Sequence, residues 1–543
     1  MAIGYSFGKE NADSGWFRWL IPSVGDLIFV AFVGALSCTA LSVRLLEDAG
    51  TGWHIRTGQI ILANHAIPQV DPFSSTMAGQ RWFAWEWLYD LVAGHLESVA
   101  GLNGVTLLTA IVIAATFSGT FFVLRRNGTN FIVSLILVLL AASASTLHFL
   151  ARPHVFSWLF TVIWFSLLDG ATVKNFKFGS ARLSRGQLWV MPPLMVLWAN
   201  LHGGFLIGLI LIGIYWIGAS WRWLRLKEDR IEDVLDKVRA GKQARQLALV
   251  GAGSLAATFV NLYGWRLHDH IYHYLSNRFL MDHIDEFQSP NFHGVAQRCF
   301  AILLMLTFLA LATNRDTSRR VGTTEILIVL FALYSGLYAS RNIPVSAVLL
   351  VLVIGPTIST ATLQTMRRLS NRDHTEPYSG VSPLFLERMQ KVELRRRGHL
   401  WCIGATVLAV WIAFHGGTLG PNRLMDAHFS SSRFPVKAVD YVKNRNQAGP
   451  ILAPDYWGGY LIYRLYPERK VVVDDRHDLY GEEFLKAYLA FVHVEPNWKR
   501  FLEDRSVGCI IVPRESAVAS ILAVTSSWRL VYSDAEADVY TRP

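Results

Sequence analysis

RLLEDAGTGWHIRTGQIIL, residues Arg44–Leu62, places Glu47, Asp48, His54 and Arg56 within ten residues, among Gly50, Gly52 and Trp53. It follows an apolar run, 24–46, that is long enough to cross a bilayer. A plain connecting loop has no need of that chemistry. Ionisable groups at the end of a span are costly unless they are exposed or functional. Glu47 reads as a marker of the water interface, and the role of Asp48 depends on the rest of the chain.

Composition puts the stretch in a membrane protein. Hydrophobic residues make up 52% of the 543 residues and charged residues only 17%, with mean hydropathy +0.30. That is the profile of a polytopic membrane protein rather than a large soluble enzyme. Eleven candidate spans follow, near 24–46, 104–124, 130–148, 154–170, 187–200, 204–221, 246–262, 295–313, 324–340, 343–361 and 399–418. The fifth and sixth are parted by a tight turn at Asn200–Gly204. The four cysteines are far apart, with no zinc spacing and no disulfide framework.

Charge placement orients these spans. With residues 1–23 cytoplasmic, five inner segments together with Lys9 and Arg18 hold 27 of the 51 Lys and Arg residues. The outer loops before residue 419 hold only Arg56, Arg81, Arg152, Arg266, Arg278, Arg298 and Arg341. The net charge of +10 therefore reflects topology, and nucleic acid is excluded as a partner. The expected domains are 1–23, a transmembrane domain 24–418 with outer loops 47–103 and 263–294, and an outer α/β domain 419–543. In that last part Lys plus Arg and Asp plus Glu both number 16. Short β-rich runs at Ile451–Ala453, Val471–Val473, Cys509–Val512, Arg529–Tyr532 and Asp538–Thr541 alternate there with helical stretches near 435–444, 482–493, 497–504 and 515–524.

Four outer clusters carry candidate chemistry. Loop one adds Asp71, Glu86 and Asp90 among Trp82, Trp85 and Trp87, and from Trp85 its pattern fits an amphipathic helix lying on the membrane. The outer helix ends supply His148, Arg152, His154, Asn200, His202, Arg341 and Asn342. Arg at the bilayer surface suits the phosphate of a lipid-linked substrate, which its planar fork binds in two places. Loop 263–294 carries His268, His270, His273, His283, Asp269, Asp282, Asp285 and Glu286. Their spacing fits no standard zinc motif, and a hard cation held by Asp285 or Glu286 suits them better. In the outer domain, a Gly458-Gly459 turn is flanked by Tyr456, Trp457 and Tyr460, and Asp474, Asp475, Arg476 and Asp478 follow a short strand.

An acidic residue opening the first outer loop, about eleven spans and a C-terminal outer α/β domain resemble the GT-C superfamily of membrane glycosyltransferases. DAGTGWHIRTGQIILANHAIPQVDPFS, RPHVFSWLF, LWANLHGGFLIG, NLYGWRL and the DYWGGY–DDRHDLYG region are similar to a group of GT-C-like bacterial membrane proteins. DYWGGY loosely resembles the Trp-Trp-Asp-Tyr-Gly motif of oligosaccharyltransferases, with Asp455 moved ahead of Tyr456 and Trp457. The resemblance implies sugar transfer from a polyprenyl-phosphate donor to an extracytoplasmic acceptor, at a bacterial inner membrane with a periplasmic C-terminal domain. It implies Asp48 as base, and Arg152, His154, His202 and Arg341 as ligands of the lipid phosphate. Tyr456, Trp457, Tyr460, Asp475 and Arg476 then line the acceptor side. A magnesium or manganese ion has Asp48, Asp285 and Glu286 as candidate ligands. The alternatives are a GT-C-like scaffold in a complex with other membrane proteins, or a transporter of lipid-linked glycan. A transporter needs charges at mid-bilayer, and here they gather at the outer surface.

Overall fold

The computed structural model describes residues 20–172, 185–313, 321–372, 393, 398–445 and 449–543. All eleven apolar segments contain a helix. Among the described residues, six helices are long and apolar enough to cross a membrane: Trp87–Arg126, Phe131–His148, His154–Ala171, Phe205–Arg225, Val295–Ala312 and Ser340–Met366. Val24–Cys38, Thr323–Tyr338 and Leu400–Phe414 are shorter apolar helices, and Met191–Leu201 and Ile231–Ala257 complete the set. The chain is a polytopic helical membrane protein with a C-terminal α/β region.

Local sequence accounts for these helices. Ser23 and Asp26 form a reciprocal capping box at Val24, and Asn130 accepts from the Val133 N–H to start Phe131–Ser145. Small residues let the helices close on one another, as in membrane bundles generally. Gly218 lies against Thr324, Gly336 against Phe300 and Ser346, and Gly355 against Leu124. Gly101, at φ 60°, interrupts Trp87–Arg126 at a backbone angle that side chains resist.

Loop one is largely structured. Gly50–Asn64 is a buried helix, and it packs on the first part of Trp87–Arg126 so closely that a Cβ on Gly58 would lie on the Asp90 carbonyl. From Trp87 the stretch is helical, and Tyr89 and Asp90 are buried in that contact. Loop 263–294 folds into the helices Trp265–Ser276 and Arg278–His283.

The C-terminal region, called the outer domain below after the sequence expectation, carries a four-stranded sheet in the order Ile451–Leu452, Cys509–Pro513, Ala537–Thr541, Arg529–Ser533. The first pair is parallel and the others antiparallel. Loop one extends it: Val471 pairs with both Ile451 and Ser74, and the Ser75 N–H donates to the Val471 carbonyl at 2.8 Å. Gly458-Gly459 is not a turn. It lies inside the helix Asp455–Leu465, which crosses Gly50–Asn64 at backbone contact. A Cβ on Gly52 would stand 2.2 Å from the Gly459 carbonyl oxygen, and one on Gly459 the same distance from that of Ala49. Gly52→Ala should destabilise the fold by about 1–3 kcal/mol through overpacking, read as a lower melting temperature. Gly34→Ala has open space around it and should change stability by less than about 0.5 kcal/mol.

Candidate active site

Asp48 stands two residues before the helix Gly50–Asn64, and its Oδ1 accepts the Gly50 N–H at 2.7 Å, satisfying a donor that a helix N-terminus leaves free. Arg152 Nη1 donates to Asp48 Oδ2 at 3.1 Å and to Oδ1 at 3.4 Å. The backbone fixes this pairing, because the Ala151 N–H donates to the Leu45 carbonyl at 2.7 Å. Thr51 and Tyr89 hydroxyls both donate to the Ala151 carbonyl. Arg152 and Asp48 keep 25% and 23% of their side-chain surface exposed, so the pair is open to a substrate. Asp475 comes to the same place from the outer domain. A Cβ on Gly50 would lie 2.6 Å from Asp475 Oδ2, 2.8 Å from Asp48 Oδ1 and 3.2 Å from Arg152 Cζ. Burial pushes the Asp475 carboxyl up to about 7, with Arg152 drawing it down and Asp48 adding to the rise.

Beside this lies a buried polar chain with Glu86 at its centre. His54 Nδ1 meets Asp90 Oδ1 at 2.5 Å, and His54 Nε2 lies 3.8 Å from Glu86 Oε2. Across from it, His202 Nε2 is 3.6 Å from Glu86 Oε1. Trp198 Nε1 donates to Ser157 Oγ at 2.8 Å, which leaves the Ser157 proton for His202 Nδ1 at 2.7 Å. The Gly204 N–H also points at that nitrogen, so His202 carries its proton on Nε2 and faces Glu86 with it. Burial raises the Glu86 carboxyl to about 7 against the pull of Arg152 and Arg341.

Arg341 pairs with Glu286 at 3.2 Å and covers the Phe287 ring at 4.6 Å. Burial alone would raise the Glu286 carboxyl, but Arg341 first, then Arg152 and the histidines 148 and 154, hold it at about 2. His154 Nε2 lies 2.9 Å from the His148 carbonyl oxygen. Arg152 and Arg341 thus act on both Glu86 and Glu286, and the four charges with His148, His154 and His202 stand near enough to influence one another.

Of the residues assigned to the acceptor side, Asp475 reaches the Asp48 group and three others do not. Arg476 is buried, with Nη1 2.8 Å from Asp71 Oδ1 and Nε and Nη2 on Asp474 at 2.8 and 2.7 Å. Tyr460 is fully buried among Phe429 and Phe434. Trp457 is buried too, its Nε1 donating to the Arg433 carbonyl. These aromatic residues hold the outer domain together. Tyr456 is 46% exposed and faces Arg433.

Asp455 heads the Gly-Gly helix and binds His477 Nε2 at 2.7 Å and the Tyr488 hydroxyl at 3.0 Å. Burial favours neutral imidazole in His477, but the Asp455 bond outweighs it and raises the His477 value; the same bond lowers Asp455 against its own burial. The contribution from His477 is complete below the ordinary imidazole value of about 6.5 and is lost as pH rises through the raised folded value. Asp455 contributes above about 3.8 and loses that as pH falls through its lowered value. Stability of the C-terminal domain should therefore fall as pH rises above the ordinary imidazole value of about 6.5, and His477→Gln should flatten that fall in a series of melting curves.

Asp48, Asp285 and Glu286 do not form one donor set. Asp285 is exposed, Glu286 is taken by Arg341, and Asp48 by Arg152. Among the described residues no group of three or more His, Cys, Asp or Glu side chains is placed to hold a metal ion. The Arg152 guanidinium stands against Asp48 and near Asp475. Sequence reasoning gave Glu86 and His54 no role and passed over Ser157 and Trp198, because their contacts join helices far apart in the chain.

No protein-family model matches the chain, and no curated protein sequence matches it. Solved structures do. The archaeal oligosaccharyltransferase AglB from Archaeoglobus fulgidus, in complex with an inhibitory peptide and a dolichol-phosphate, superposes with TM-score 0.53 at 11% identity, over 92% of this chain and 70% of that one. The oligosaccharyltransferase of the same organism, tethered with an acceptor peptide containing the NVT sequon, gives TM-score 0.52 at 11% identity over 96% and 73%. ArnT from Cupriavidus metallidurans in the apo state gives 0.48 at 11% identity over 95% and 96%. At such identities the likeness is one of fold alone.

Proposed function

We propose that the chain is a membrane glycosyltransferase that moves a sugar from a polyprenyl-phosphate donor to an acceptor on the extracytoplasmic side. The observation that carries this reading is the Asp48–Arg152 pair, partly open to solvent, where the helical bundle meets the outer domain. Asp48 takes the proton of the acceptor hydroxyl as its oxygen bonds to the anomeric carbon. The bond from that carbon to the phosphate oxygen breaks, and its electron pair leaves with the polyprenyl phosphate. Arg152 and Arg341 offset the charge gathering on the phosphate. His202 and His154 stand beside them, and His202 directs its Nε2–H toward Glu86.

The test is release of polyprenyl phosphate by the full-length protein in bilayers, given a panel of polyprenyl-phosphate sugars and candidate glycan acceptors. Turnover above a protein-free control supports the enzyme. Binding of polyprenyl phosphate without turnover of any donor would favour the scaffold, and vectorial movement of intact lipid-linked glycan the transporter.

A further inference from the structure

Three charged groups from distant parts of the chain crowd around Gly50: Asp48 beside it, Arg152 from the segment before the helix His154–Thr172, and Asp475 from the outer domain. Among the described residues, Arg152 is the cation that acts most strongly on Asp475. Arg476, its neighbour in sequence, is committed to Asp71 and Asp474. His477 is committed to Asp455, and Arg341 to Glu286. Asp474 also takes the Tyr480 hydroxyl at 2.8 Å. Asp475 Oδ1 is buried and meets no donor, so that carboxylate is offset by charge alone, chiefly that of Arg152 with a smaller pull from His477.

We propose that Asp475 is a positioning residue for Arg152: with Asp48 it holds the guanidinium in the resting protein, and an incoming phosphate group must draw Arg152 away from both. This rests on the reading above in which Arg152 meets the donor's phosphate. The outer domain then sets the affinity of the membrane-side phosphate site, because it contributes one of the two carboxylates that compete for the cation. The same carboxylate repels the phosphate directly, and both effects have the same sign. Neutralising Asp475 strengthens phosphate binding, whereas loss of a residue that merely supports the fold weakens it. That opposite sign makes the proposal testable without knowing the sugar or the acceptor.

The experiment titrates undecaprenyl phosphate into full-length protein in phosphatidylcholine nanodiscs. It is run at low salt, where exposed charges are least screened, and at about pH 8, where carboxylates are ionised. Inorganic phosphate is titrated in a parallel arm. Asp475→Asn should bind undecaprenyl phosphate about three- to tenfold more tightly, Asp475→Glu should return to the wild-type value, and Arg152→Ala should bind about tenfold more weakly or worse. A gain for both ligands assigns the site to the phosphate group itself, and a gain for the lipid alone to a membrane-anchored phosphate; either supports the proposal. If Arg152→Ala weakens binding while Asp475→Asn leaves it unchanged or weaker, with unaltered melting temperatures, the role given to Asp475 is wrong. If Arg152→Ala changes nothing, Arg152 is not the phosphate ligand, and the functional reading falls before the role of Asp475 is reached.

Discussion

Arg476→Ala should release the outer domain from loop one and cost about 3–5 kcal/mol, the range for breaking a buried ion pair from one side. The guanidinium spends its donors on two carboxylates from opposite sides of the junction: Asp71 at 2.8 Å, and Asp474 through Nε and Nη2. Its Cζ also lies over the Phe73 and Trp82 rings, 5.1 and 4.7 Å from their centroids. All three charged groups are buried. Removing the cation would leave two buried carboxylates without their cation, and it would open a cavity beside the Phe73 and Trp82 rings. Arg476→Lys should recover only part of the loss, because an ammonium cannot match the forked geometry at Asp474. Melting curves and limited proteolysis of the full-length protein measure both effects, with cleavage expected first in 449–543. An Arg476→Ala protein as stable and protease-resistant as wild type would mean that the clamp does not join the two parts.

This clamp shows where the sequence could be read and where it could not. The eleven apolar segments were legible because hydropathy and Lys/Arg placement are summed over neighbouring residues, and each segment contains a helix. The sheet strands at 451, 509, 529 and 537 were legible for the same local reason. The Gly458-Gly459 pair was read as a turn because its real partner, Gly52, lies some four hundred residues away in the chain. A glycine pair at a helix crossing and one in a turn look alike until the partner is known. Arg476 and Tyr460 were placed at the acceptor side by type and neighbourhood, yet both serve packing. Asp48, Arg152 and Asp475 were each picked out, but no spacing revealed that they share the room left by Gly50. The Glu86 chain was harder still, since His54, Glu86, Ser157 and His202 come from separate elements and meet only in the fold.

Asp48→Asn should have the largest effect on activity, a fall in sugar transfer of about 10²–10⁴-fold, the usual worth of a positioned general base. The substitution keeps shape and an oxygen for the Gly50 N–H, and Asp48 is partly exposed, so the melting temperature should move little. Binding of polyprenyl phosphate should be kept or strengthened, because Arg152 loses one of its competing carboxylates. Asp48→Glu retains the charge but carries it one methylene further, toward Arg152 and Asp475, and should give an intermediate rate. Together these separate a base from a structural cap: a cap is replaced by Asn without kinetic cost, whereas a base is not. Measured with whichever donor and acceptor the panel identifies, a transfer rate for Asp48→Asn equal to wild type would remove Asp48 from the chemistry and leave Glu86, between its two histidines, as the carboxylate to examine in its place.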